Sequence, residues 1–317
     1  MTPADPTTRV LVKPAHPAYP VGLVLVAIFS VQFGGAMAVY LIHLVGILGS
    51  VALRLSIAAV VMVAWTRPSI RGYSRSDWLT VLMFGVALAA MNAAFFAAIA
   101  RLPVGVAVTI EFIGPLGLAA VLSRHWFDGI AVVVAAAGVV LTSNVLTESW
   151  NTVDLIGIVL ALAAGISWAS YILLSGRTGR RFPGAQGLAL AMVVAAAITL
   201  PAGLAVDGAA LFDAKALGLG FVIAMLSSVF PYSLELFALR YLNPRVFGIL
   251  LSLEPAAASI AGLVVLGQAM QSTQLAGMAL VVLASTAVTL TPKRREQARP
   301  QEDAALPDSS TPQGKTP

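Results

Sequence analysis

The chain has 317 residues, of which 59% are hydrophobic and 10% charged, and its mean hydropathy is +0.91. Soluble domains carry about 25% charged residues, so this composition excludes a soluble globular protein and indicates an integral membrane one. The absence of cysteine excludes disulfides and thiolate metal sites. The net charge of +5 is distributed by loop and not gathered into a nucleic-acid-binding face.

Residues 1–20 contain five prolines without apolar periodicity and are expected to form a disordered tail. Apolar runs able to cross a bilayer follow near 21–41, 45–65, 78–98, 103–123, 128–147, 154–175, 184–205, 215–238, 245–266 and 272–291, which makes ten. No charged residue separates Lys13 from Arg54, roughly twice the length that one span needs, so a break must lie inside. HLVGILGS, His43 to Ser50, supplies the glycines for it. Ala36-Met37-Ala38 has the form of a signal-peptidase site, but the long polar leader and nine further spans argue for retaining the first helix. Residues 292–317 are rich in Pro, Gln and Ser and are expected to form a second disordered tail.

With the N-terminus inside, the cytoplasmic segments hold sixteen of the nineteen Lys and Arg residues. The outer loops hold only Arg101 and Lys215, and Arg54 lies within a span. That bias places both termini in the cytoplasm. The two halves also match weakly: RLPVGVAVTIEFIGP from Arg101 aligns with YLNPRVFGILLSLEP from Tyr241 when Gly105 is set on Gly248, and Glu111 then falls on Glu254. Repeats of five spans each, 21–147 and 154–291, enter the membrane from opposite sides. The expected fold is an all-α integral membrane protein of ten transmembrane helices in two inverted five-helix repeats.

Four ionisable residues fall inside spans: Arg54, Glu111, Glu235 and Glu254. Arg54, Glu111 and Glu254 lie roughly 12 to 15 Å from a span end, near mid-depth. Each costs about 2.5 to 3.5 kcal/mol if left ionised and unpaired, so partners or water are required. One reading is a structural network in which Arg54 pairs with an acid. The other is a central cavity in which the acids meet a proton or a substrate ammonium group, because burial favours a neutral carboxyl and a nearby cation favours the ionised one.

Prolines strengthen the cavity reading. A helical proline removes the bond to the carbonyl four residues before it, so Pro115 frees Glu111, Pro231 frees Ser227 and Pro255 frees Leu251. Such carbonyls could bind an ammonium group. Asn92, Trp168 and Tyr232 are the remaining candidates for the cavity wall, with helix-to-helix contact as the alternative for Asn92 and packing for Trp168.

LRLSIAAVV around Arg54, IEFIGPL around Glu111, ISWASYIL around Trp168, FPYSLELFAL around Glu235 and LLSLEPAAASIAGLVVLG around Glu254 together resemble the EamA-type branch of the drug/metabolite transporter superfamily. Within it the chain looks most like the threonine and homoserine exporters, over about residues 20 to 291. The resemblance implies inverted five-helix repeats, an inner-membrane location and export of small amino acids driven by protons, without a cofactor or metal. It carries over Arg54, Glu111, Glu235 and Glu254 as site residues. Where many such proteins have Gly-Glu, this chain has Gly267-Gln268, and the matching end in the first half reads Ser123-Arg124-His125-Trp126, so no role is expected to rest on a terminal acid. A broader exporter of drugs or aromatic metabolites and a passive channel remain as alternatives. An enzyme is not expected, because His16, His43 and His125 lie away from the buried acids and no nucleophile with its base is in view.

Overall fold

The computed structural model describes residues 18–123, 126–142, 154–238, 241 and 250–290. Among these the structure is helical with short connections and contains no strand. Five stretches, Tyr19–Thr66, Arg75–Ile99, Leu155–Thr178, Gln186–Phe212 and Ala214–Glu235, are long and apolar enough to cross a membrane, and shorter apolar helices complement them. The protein is an all-helical, multi-pass membrane protein. The expected tails, apart from 18–20, lie outside the described residues.

Helix α1 (Ala18–Thr66) turns back on itself inside the glycine-bearing segment His43 to Ser50. Val45 leaves helical geometry at φ −131°, and Gly46 takes φ +68°, a conformation that favours glycine. The arm beyond the break begins with unsatisfied N–H groups, and the Gly49 N–H donates to Asp207 Oδ2 at 2.8 Å. A side chain 158 residues away therefore caps this helix. Asp207 is the last residue of α7 (Gln186–Asp207), so the cap also fixes α7 against the break.

Helix α2 (Arg75–Ile99) starts from a capping box in which Ser74 and Asp77 satisfy each other's backbone donors. The run predicted at 103–123 forms α3 (Val104–Glu111) and α4 (Ile113–Ser123), divided at Phe112. Then follow α5 (Trp126–Thr142) and α6 (Leu155–Thr178). The run predicted at 215–238 forms α8 (Ala214–Ala224), a π-helical turn at Met225–Val229 and α9 (Phe230–Ala238). Helices α10 (Glu254–Leu266) and α11 (Ser272–Leu290) complete the described chain.

Helix α1 packs on α7, α8, α9 and α10, α2 on α6 and α7, α3 on α6 and α10, and α5 on α11. Small residues set these distances, as expected where lipid supplies no hydrophobic drive between helices. A Cβ placed on Gly138 of α5 would lie 2.6 Å from the Gly277 carbonyl of α11. At the crossing of the α3–α4 unit with α6, a Cβ on Gly114 would collide with the Gly165 carbonyl, and one on Gly165 with the Glu111 carbonyl.

Ion pairs mark the two ends of the bundle. At one end Arg101 Nε donates to Asp154 Oδ1 at 2.9 Å, and the same oxygen accepts from the Gly157 N–H at 2.7 Å, capping α6. At the other end Arg181 Nε lies 3.6 Å from Asp77 Oδ1, beside the Tyr73–Phe182 ring stack at 4.1 Å between centroids. The hydrogen bond from Arg101, with further backbone donors, holds the Asp154 carboxyl below the usual carboxylate range.

Two outcomes follow from this packing. Gly165→Val should lower the melting temperature in detergent, because overpacking a tight contact costs about 1–3 kcal/mol, whereas Gly218→Ala, which meets nothing within 4 Å, should not. The stability that Asp154 contributes is present above the ordinary aspartate pKa and is lost as pH falls through its lowered folded value. Asp154→Asn should therefore flatten the acid limb of a melting-temperature profile against pH.

Candidate functional site

The breaks at Phe112, at Ser227 and before Glu254 border one cavity of about 760 Å³. The structure brings all seven predicted site residues to its wall: Arg54 from the second arm of α1, Asn92 from α2, Glu111 from the end of α3 and Trp168 from α6. Tyr232 and Glu235 come from α9, and Glu254 from the start of α10. Pro115 and Pro231 also line it, whereas Pro255 is buried outside the lining.

Arg54 is 8% exposed and is held by neutral groups. One terminal nitrogen donates to the Ser227 carbonyl at 3.2 Å, and the guanidinium carbon lies 5.4 Å from the centre of the Phe96 ring, a cation–π distance. The expected direct pairing with an acid is not what the structure shows: among the described residues no carboxylate forms an ion pair with Arg54, and its Nε is buried without a partner. The sequence explains the substitute. Pro231 cannot donate to Ser227, and the π-helical turn, closed by the Phe230 N–H on the Met225 carbonyl, presents the Ser227 oxygen to Arg54.

The other two freed carbonyls differ from expectation. The Glu111 carbonyl is closed against Gly165 of α6, so backbone packing, and not an open cavity, covers it. Pro255 sits in the first turn of α10, where a missing N–H breaks no helical bond, because the helix ends before it at a turn over Ser252 and Leu253. It marks a helix start and not a mid-helix kink.

Asn92 donates from Nδ2 to the Leu88 carbonyl of its own helix at 2.8 Å, leaving Oδ1 buried without a partner, so it does not join two helices. Trp168 stands edge-on to Phe112 with centroids 5.7 Å apart, packing and lining the cavity at once. Tyr171 lies one turn further on, against Phe84 at 5.1 Å, and its hydroxyl meets that of Tyr232.

The cavity runs from mid-depth toward the Arg181 end, where Ser175, Gly176, Glu235 and Ser285 line it. The Arg101 end is closed. There Gln268 Oε1 accepts from the Val104 N–H at 3.0 Å, Tyr40 donates to the Val265 carbonyl at 2.7 Å, and a Cβ on Gly105 would crowd Ser259.

A model of the EamA-like transporter family matches residues 155–290. The threonine/homoserine exporter RhtA of Salmonella typhimurium strain SL1344 is 38% identical over 280 residues, covering 88% of this chain and 94% of that protein. The chain belongs to the EamA-like transporter family. The RhtA exporter of Escherichia coli K12 is 37% identical over the same coverage, and the uncharacterized transporter YwfM of Bacillus subtilis is 26% identical over 70% of this chain and 76% of its own length. A solved crystal structure at 17% identity superimposes with a TM-score of 0.60 over 88% of this chain and 99% of that one, a likeness of fold.

In this family member several wall residues escaped the sequence reading. Tyr171 and Ser175 were legible, since Trp168, Tyr171, Ile172 and Ser175 fall on one helical face. Gln32, a lone buried amide in an apolar span, gave the same kind of signal. Phe95 and Phe112 gave none, because an aromatic ring reads alike in a cavity wall and in a packed interface.

Proposed function

We propose that the protein exports small amino acids of the threonine and homoserine kind from a bacterial cell through its inner membrane, by alternating access around the central cavity, in exchange for protons. The observation that carries this reading is the cavity itself, where three carboxyl groups and one guanidinium converge in an otherwise apolar bundle, in a relative of proteins named as exporters of those substrates. Intramembrane ionisable groups that share a cavity belong to substrate and proton paths far more often than to packing. Glu111, Glu235 and Glu254 exchange a proton or the ammonium group of the cargo. Asn92, Trp168 and Tyr232 shape the walls around it.

Ten crossings in two inverted five-helix repeats, over 21–147 and 154–291, fit the helix pairing. If each element of the first repeat is replaced by its counterpart in the second, α3 against α10, α5 against α11 and the second arm of α1 against α7 map onto themselves. The α2–α6 pair maps onto α8–α9 against the first arm of α1. Arg67, Arg71, Arg75, Arg177, Arg180 and Arg181 gather at the end toward which the cavity runs, which supports reading that end as cytoplasmic and the conformation as inward-facing.

A second reading, export of drugs or aromatic metabolites, draws on the aromatic wall of Phe95, Phe112, Trp168, Tyr171 and Tyr232 and on a volume within the range of about 300–1,000 Å³ that drug-sized ligands occupy. Counterflow in proteoliposomes against a panel of amino acids and aromatic compounds separates the two. A channel would instead conduct without counterflow.

Two outcomes test the proposal. Reporter fusions after Arg71, Arg124, Arg181 and Lys293 should all read cytoplasm, and a periplasmic signal from any of them breaks the topology there. Glu111→Gln and Glu254→Gln should each change threonine counterflow or its response to an imposed pH gradient. Retained counterflow with a lost pH response assigns that acid to the proton. Full activity with an unchanged pH response in both variants removes the glutamates from the mechanism.

A further inference from the structure

We infer that Arg54 is the carboxylate-binding residue of the cavity, so that the protein selects α-amino acids against the corresponding amines, alcohols and amides. The assignment rests on the amino-acid-export reading and adds to it the group by which the cargo is recognised.

Three observations carry it. The guanidinium lies near mid-depth on the wall of the cavity, and a guanidinium cannot lose its charge there as a carboxyl or an ammonium can. Its two fixed contacts, the Ser227 carbonyl at 3.2 Å and the Phe96 ring at 5.4 Å, are both uncharged. They hold the group in position, and Glu111, whose charge Arg54 feels across the cavity, makes no direct bond to it. Finally, Glu111, Glu235 and Glu254 share the cavity, yet none forms an ion pair with Arg54. A residue kept only to join helices would be expected to use the acids nearby, because breaking or omitting a buried pair is costly.

The arrangement leaves guanidinium N–H donors, joined to no acid by an ion pair, on the wall of a space large enough for an amino acid. A carboxylate matches the planar guanidinium fork with two parallel hydrogen bonds, a geometry that lysine's point charge does not reproduce. The glutamates then remain for the other end of the zwitterion. Recognition is thereby divided: the cation of the protein takes the cargo's carboxylate, and an acid of the protein takes the cargo's ammonium group. The Ser227 seat ties this to the π-helical turn, since Pro231, four residues on, leaves the carbonyl that orients Arg54 without its usual helical donor.

The test is counterflow of labelled L-threonine by the full chain in proteoliposomes, with unlabelled L-threonine, L-threoninamide and L-threoninol as competitors. The wild-type protein should favour L-threonine over the two carboxyl-free analogues by about ten- to a hundredfold, the range expected when a charged hydrogen-bonding group loses its partner. Arg54→Gln should abolish that preference, and Arg54→Lys should reduce it. Should Arg54→Gln fail to fold, Phe96→Leu, which keeps the guanidinium and removes its platform, should weaken competition by L-threonine more than by L-threoninamide. Equal competition by all three compounds in the wild type, or an unaltered preference in Arg54→Gln, overturns the assignment while export of threonine stands. Absence of threonine counterflow in the wild type overturns the export reading instead.

Discussion

A positive charge that cannot be discharged, set in a bundle with little water, constrains this structure more than any other single group. A buried guanidinium requires acceptors, and in an ordinary helix interior each carbonyl already takes the backbone N–H four residues on, leaving only its second lone pair. The chain supplies a freed carbonyl by putting a proline four residues after Ser227 and a π-helical turn across it. The cost is a weakened helix in the middle of the membrane. That weakness is tolerated because Ser227 to Val229, the broken part, is buried against the cavity and the first arm of α1. The same proline and π-helical turn divide one apolar run into α8 and α9, and Tyr232 and Glu235 follow on α9 at the cavity wall.

Around this centre the bundle is built from backbones that touch. Gly114 with Gly165, Gly138 with Gly277, and Gly105 with Ser259 allow approaches that any larger residue would prevent. Such crossings gain stability from many small dispersion contacts and few directional ones. A transporter needs surfaces of that kind, because flat contacts between small residues can shift without tearing a polar network. The ion pairs among the described residues lie at the ends, in Arg101–Asp154 and Asp77–Arg181, while single hydrogen bonds such as Arg54 on Ser227 and Ser30 on Leu226 join helices between them.

Much of this was legible before the structure, and the reasons it was legible are local. The break at Val45 and Gly46 was written in uncharged length and glycine placement. The convergence of Arg54, Glu111, Glu235 and Glu254 followed from the cost of burying charge, which holds whatever the packing. The freed Ser227 carbonyl was predicted from Pro231, but its recipient was not, since that depends on how two distant helices meet. For the same reason the Glu111 carbonyl, equally freed on paper, is covered by Gly165. Pro255 misled because a proline at a helix start and one at a helix kink look alike in sequence; the difference is set by whether the chain before it is helical in register. Tyr171 was missed although its spacing from Trp168 placed it on the same face.

Asp207 reaches across 158 residues to cap the second arm of α1, and this bears on how the protein is made. At about 5–20 residues per second, the ribosome delivers that aspartate roughly 10–30 s after the helix it completes. Until then the turn at Gly46 and Gly49 must keep its open N–H groups wet at the membrane surface. The early turn therefore lacks its cap in the nascent chain until α7 is made. The cap that completes the second arm of α1 is thus supplied by the later-made half of the chain.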